Sequence, residues 1–204
     1  MYSGTSSGRR SSPILFSQIE VRDILIAWAA LALAFTIASR GGLAGNLVTA
    51  YFVAFVAVGS GFVLHELMHK FTAERYGYWA EFRMWVMGIV LALVTSTLGV
   101  IFAAPGATYI SGMNISKEEN GVISIAGPLM NIVIAVLFLP FALFGTGNWG
   151  TLGAFGTYIN IFLALFNMLP IGPLDGSKVF RWNLAVWAAT FGGLALTFVY
   201  LFLP

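Results

Sequence analysis

Long apolar runs separated by short polar or glycine-rich segments recur along the chain, at residues 24–39, 47–71, 84–104, 122–144, 151–169 and 182–203. A hydrocarbon layer about 30 Å thick is crossed by about 20 apolar residues of helix. The pattern therefore predicts an α-helical integral membrane protein with five to six transmembrane helices and no internal repeat. Run 84–104 is ambiguous. It is long enough to cross, yet it is rich in Val and Thr and ends in Ala103-Ala104-Pro105-Gly106, a helix-breaking sequence.

The distribution of cationic residues decides between the two counts. If run 84–104 returns without crossing, Arg9, Arg10, Arg22, Lys70, Arg75, Arg83, Lys117, Lys178 and Arg181 share one side and Arg40 stands alone on the other, nine against one. If it crosses, Lys117, Lys178 and Arg181 change sides and the split falls to six against four. Positive charge concentrates on the cytoplasmic side, so the run is expected to be re-entrant, which is tolerated only where protein or a water-filled cavity shields its backbone. The N-terminus and the nine cations are then expected on the cytoplasmic side.

Composition narrows the picture. Of 204 residues, 59% are hydrophobic and 9% charged, and a formal net charge of +2 is too small to suggest a nucleic-acid partner. With no cysteine, disulfides and thiolate metal ligands are excluded. Residues 1–18, rich in Ser and Gly, are expected to form a disordered cytoplasmic tail, with a mixed-charge interfacial stretch over 17–23. The pattern of a cleaved signal peptide is missing. Residues 19–204 are expected to form one membrane-embedded domain.

The only 2 histidines stand in His65-Glu66-Leu67-Met68-His69, inside run 47–71. On a helix, positions i and i+4 lie about 6 Å apart along the axis and about 40° apart around it, so both imidazoles address one point. Neutral histidine nitrogens bind zinc, and Glu66, beside the first ligand, can take a proton from a water that the metal activates. Ionisable groups inside a span are costly, about 2.5–3.5 kcal/mol for the acid alone, and are usually functional.

A third ligand is needed. Glu20, Asp23, Glu74, Glu81, Glu118 and Glu119 are read as lying in polar connecting segments, whereas Glu66 and Asp175 are embedded in apolar sequence. Asp175 ends a segment, Asn167 to Gly176, whose two prolines stop a helix and whose glycines let the backbone turn inward. With five crossings it returns on the side of His69; with six it cannot reach. Glu74 would sit about 140° around the helix from His69, and Glu81, Glu118 and Glu119 lack a supporting turn. His65, His69 and Asp175 thus leave one position open, as in catalytic zinc.

Together, His-Glu-Leu-Met-His at 65–69, Gly127-Pro128-Leu129-Met130-Asn131, and Asn167 with Pro170, Pro173 and Leu174-Asp175-Gly176 make the chain resemble the site-2 protease family of intramembrane zinc metalloproteases, over about residues 47–181. The resemblance implies hydrolysis of peptide bonds in transmembrane protein substrates within the bilayer. It implies one Zn2+ on His65, His69 and Asp175, Glu66 as general base, Asn167 beside the oxyanion, and a partly β re-entrant segment over 84–110. In 204 residues no PDZ, CBS or soluble accessory domain is expected. Asn131 reads either as a helix-packing amide or as part of the site. A strand within 102–110 is a candidate to pair with an unwound substrate. Lys70, next to His69, is taken to mark the cytoplasmic boundary about 10 Å from the metal. The competing readings are a polytopic metal or ion transporter and an inactive, protease-like binding protein. Oligomeric state is not readable from the chain.

Overall fold

The computed structural model describes residues 16–39, 43, 45–102 and 104–202. The expected tail through residue 15, and Arg9, Arg10 and Arg40 of the charge count, lie outside the described residues. Five helices are long and apolar enough to cross a membrane: α1 (Gln18–Ala38), α2 (Leu47–Arg75), α4 (Lys117–Phe144), α5 (Gly147–Asn167) and α7 (Leu184–Phe202). Between α2 and α4 lie β1 (Trp79–Met84), α3 (Val86–Ser96) and β2 (Gly106–Ser111), and the short α6 (Asp175–Trp182) joins α5 to α7.

The ambiguous run does not cross. Its two ends are hydrogen-bonded neighbours, because β1 and β2 pair antiparallel with Met84 opposite Gly106. The 11-residue α3 between them is only about 16 Å long, half of a hydrocarbon layer. The segment is a half-helix that enters and returns, as the cation count requires. The strand before it, β1, falls on a mixed-charge stretch ahead of the apolar run and was not expected.

Side chains from α1 and α2 replace a third strand on the outer edge of β1. The Phe82 and Met84 amides donate to Glu20 Oε1 (3.0 Å) and Asp23 Oδ2 (3.2 Å), and Lys70 Nζ donates to the Ala80 carbonyl at 2.9 Å. Lys70 also pairs with Glu20 at 2.8 Å, with the two side chains 2% and 0% exposed. Three expectations change here. Glu20 and Asp23 are buried within α1, which starts at Gln18 after the N-cap Ser17. Glu81 is buried in β1 and is bonded by Ser17 and Arg83. Lys70 marks no water boundary, since its ammonium is spent on buried oxygens; α2 runs on to Arg75.

Two larger apolar clusters hold the helices, beside a smaller one of Ala73, Ala80 and Ile123 between α2, β1 and α4. One joins α1, α2, Phe82, Ile89 and the start of α5; the other joins α4, the end of α5, Val179 of α6 and Leu194 of α7. Outward faces of α4 and α7 expose Leu137, Leu143, Leu196 and Tyr200, as side chains facing lipid do. Helix α4 opens with a capping box between Ser116 and Glu119, which satisfies backbone groups left over at its start. Its neighbour α5 follows after a two-residue connection at Gly145 and Thr146.

Candidate metal centre

Of the groups that could hold a metal among the described residues, one stands out: His65, His69 and Asp175, all buried. The two histidines lie on one face of α2, and Asp175 is the first residue of α6, delivered by the turn that follows α5. His69 Nε2 is 3.0 Å from His65 Nε2 and 3.1 Å from Asp175 Oδ2, and His65 Nε2 is 3.3 Å from the same oxygen. Tetrahedral zinc, bonded at about 2.0–2.1 Å, spaces its donor atoms about 3.3 Å apart. The three atoms fit.

The hydrogen bonds behind the rings support that fit. His69 Nδ1 lies 2.8 Å from the carbonyl of Ile123, an oxygen that can only accept, so this nitrogen carries the proton. His65 Nδ1 lies 2.6 Å from Asn131 Oδ1. The Asn131 amide cannot be turned round, because its Nδ2 already donates to the Gly61 carbonyl at 3.1 Å and to Asn160 Oδ1 at 2.9 Å. His65 Nδ1 is a donor too. In the neutral rings both Nε2 lone pairs therefore face the Asp175 carboxylate. Three acceptors at this spacing repel one another unless a cation or proton lies between them.

Asp175 shows the same demand. Burial pushes its carboxyl up, and only positive charge on the facing imidazoles of His69 and His65, or a cation in its place, outweighs this and holds it well below the usual carboxylate range. Its other oxygen, Oδ1, is 3.5 Å from Lys178 Nζ. The wall opposite the rings is Gly127 of α4. A Cβ there would lie 2.6 Å from Nε2 of both His65 and His69, so only glycine lets α4 approach the donor set this closely. Pro128, which lacks an N–H, removes the helical donor of the Ser124 carbonyl, one residue beyond Ile123.

Glu66 points to the sheet. Its Oε2 accepts from the Thr108 amide and from Thr108 Oγ1, each at 2.9 Å. Thr108 stands opposite Phe82, whose amide points away from the ladder to Glu20. The amide of Thr108 therefore also leaves the ladder, on the far edge, so that Glu66 caps β2 much as Glu20 caps β1. Asn167 lies at the end of α5, where its Nδ2 donates to its own helix at Leu163 O, 3.0 Å away; it is not part of the His, His, Asp group. The sequence did not single out Asn160, Thr108 or the Ile123 carbonyl. Only the Asn in an apolar run was a signal, and it was present for Asn160 as much as for Asn131.

The chain is similar to several curated metalloproteases. MJ0611 of Methanocaldococcus jannaschii, named as a candidate zinc metalloprotease, is 43% identical over 178 residues, which cover 85% of this chain and 89% of that protein. Rip2 of Mycolicibacterium smegmatis, named in the same way, is 29% identical over 151 residues, 62% of this chain and 56% of Rip2. The zinc metalloprotease MJ0392 of M. jannaschii is 28% identical over 147 residues, 71% of this chain but 37% of that protein. The chain thus spans about half of Rip2 and about a third of MJ0392. No family model and no solved structure matches it.

Proposed function

Because this chain belongs to the site-2 protease family of zinc metalloproteases, we propose that it is an intramembrane endopeptidase that hydrolyses peptide bonds in or near transmembrane helices of membrane-protein substrates. The observation that carries this reading is the place of the donor set. His65, His69 and Asp175, each 6–7% exposed, converge on one face of a 29-residue apolar helix, Asp175 reaching it from α6, where ionisable groups are costly without a function.

His65, His69 and Asp175 would hold one zinc ion. Bound there, zinc supplies the Lewis acidity that activates water and polarises a peptide carbonyl. Glu66 takes the proton from the attacking water and passes it to the leaving amine. Thr108 holds the carboxylate of Glu66 by two hydrogen bonds to one oxygen, leaving Oε1 for this work. Asn167 uses one amide N–H on Leu163 O; its second is the donor proposed for the oxyanion.

A substrate helix hides its amides in intrahelical bonds and must unwind to react. The edge of β2 suits such an extended segment, since the outer edge of β1 is filled by Glu20, Asp23 and Lys70 and the far edge of β2 is the one beside Glu66. Sidedness follows from charge. Every described Lys and Arg, namely Arg22, Lys70, Arg75, Arg83, Lys117, Lys178 and Arg181, lies at the end of the bundle that holds the sheet, α6 and the metal centre, which is read as cytoplasmic.

The test is cleavage of single-span membrane proteins by the purified, zinc-loaded chain. Glu66→Gln is expected to abolish turnover while retaining zinc, and product sequencing to place cuts within about 16 Å, three helical turns, of the substrate's cytoplasmic end. Cleavage by Glu66→Gln at the wild-type rate, or cuts confined to soluble loops, would refute the mechanism.

A further inference from the structure

Asn160 lies on α5, is 0% exposed, and is linked to the metal centre through Asn131. Its Nδ2 donates to the Gly156 carbonyl at 2.9 Å and to the Ala57 carbonyl of α2 at 3.3 Å. Both donors are spent on oxygens that can only accept, so Asn160 Oδ1 must face the other way, toward Asn131 Nδ2 at 2.9 Å. That contact, with the Gly61 carbonyl, turns Asn131 Oδ1 toward His65 Nδ1. Ala57, Gly61 and His65 stand four residues apart on one face of α2. Successive turns of one helix thus receive one polar chain from α4 and α5.

We propose that Asn160 is a positioning residue for the metal centre: acting through Asn131, it holds His65 in the tautomer that presents Nε2 as a ligand. The chain of bonds has one direction. Reversing Asn131 would set its Oδ1 against both Asn160 Oδ1 and the Gly61 carbonyl and its N–H against His65 Nδ1, which would then accept and move the ring proton to Nε2, the atom needed for metal. Each such clash of like groups in a dry interior costs more than a neutral hydrogen bond contributes. Space has been made for this arrangement: a Cβ on Gly61 would lie 2.4 Å from Asn160 Oδ1 and 3.3 Å from Asn131 Nδ2. A packing amide alone would not require two asparagines with every donor assigned.

The inference rests on the zinc reading above, and its test has an arm independent of it. With only 2 histidines in the chain, protein labelled with 15N-histidine shows four ring nitrogens, and His69→Gln assigns those of His65. In zinc-free protein at alkaline pH, wild-type His65 is expected as a single Nδ1–H tautomer and Asn160→Leu as a mixture. Zinc affinity, read by chelator competition, is expected to fall about 10–100-fold in Asn131→Leu and about tenfold in Asn160→Leu. The double variant should bind as Asn131→Leu does, because the second residue acts only through the first. If Asn160→Leu fails to fold, Asn160→Ser, too short to reach Asn131, takes its place with the same expectations. Lowered thermal stability with unchanged zinc affinity and an unchanged His65 spectrum would show a packing role alone and overturn the proposal. So would fold-losses that multiply in the double variant. A wild-type chain that binds no zinc would refute the protease reading, and the spectrum would still decide the tautomer.

Discussion

At Gly127 a hydrogen atom stands where any other residue would put a carbon 2.6 Å from the ligand nitrogens of both histidines. Gly127→Ala should favour the helix itself by about 1 kcal/mol, against about 1–3 kcal/mol for overpacking the two rings, so a modest loss of stability accompanies the effect on the site. Zinc affinity is expected to fall at least about tenfold, with the melting temperature of the zinc-free protein only modestly lowered; wild-type affinity in chelator competition would mean that α4 does not form the wall of the centre. Asp175→Asn keeps the shape of the side chain and removes its charge, and metal analysis should find well below one equivalent of zinc. Full occupancy would reject Asp175 as a ligand. These residues were readable in different degrees. His65, Glu66 and His69 announce themselves by spacing, and Asp175 by being an acid in an apolar, proline-rich turn. Asn160 does not, because its role depends on which carbonyls of α2 lie opposite, and those are set by the packing of three helices.

Among the elements, the small sheet departs most from what the chain suggested. Residues 17–23 and 79–84 look like polar surface because each mixes charges with apolar residues, yet the charges are turned inward onto each other. Glu20 and Asp23 close the edge of a strand whose sequence gives no strong β signal, and the pairing is invisible until α1 and β1 are side by side. Removing one partner leaves a charge buried without compensation. Lys70→Met is therefore expected to destabilise the chain by about 3–5 kcal/mol, and Lys70→Met with Glu20→Gln by less, since the uncompensated carboxylate is then gone. Thermal unfolding in detergent reads both, and a single variant as stable as the wild type would show that water reaches the pair. The half-helix α3, by contrast, followed from the cation count alone, because a returning segment changes the side of everything after it.

For the whole molecule, the expected orientation is testable at two exposed points on opposite ends, Met113 beyond β2 and Thr146 between α4 and α5. A cysteine at Met113 should react with a membrane-impermeant reagent added from the cytoplasmic side, and one at Thr146 only from the other side; the reverse labelling would invert the proposed topology and the predicted position of the cut. The count of spans was legible in the sequence, because it is set by the bilayer. The sheet edges and the asparagine chain were not, because they are set by partners far along the chain. That distance also orders events in time. Asp175 follows His69 by 106 residues, which a ribosome adds in about 5–20 s. Until then the nascent chain carries a helix with two histidines and a glutamate but no third ligand and no α6 to close the site. On the proposed function the chain would be inert for that interval, and α1 to α5 would enter the membrane before a complete centre could cut them.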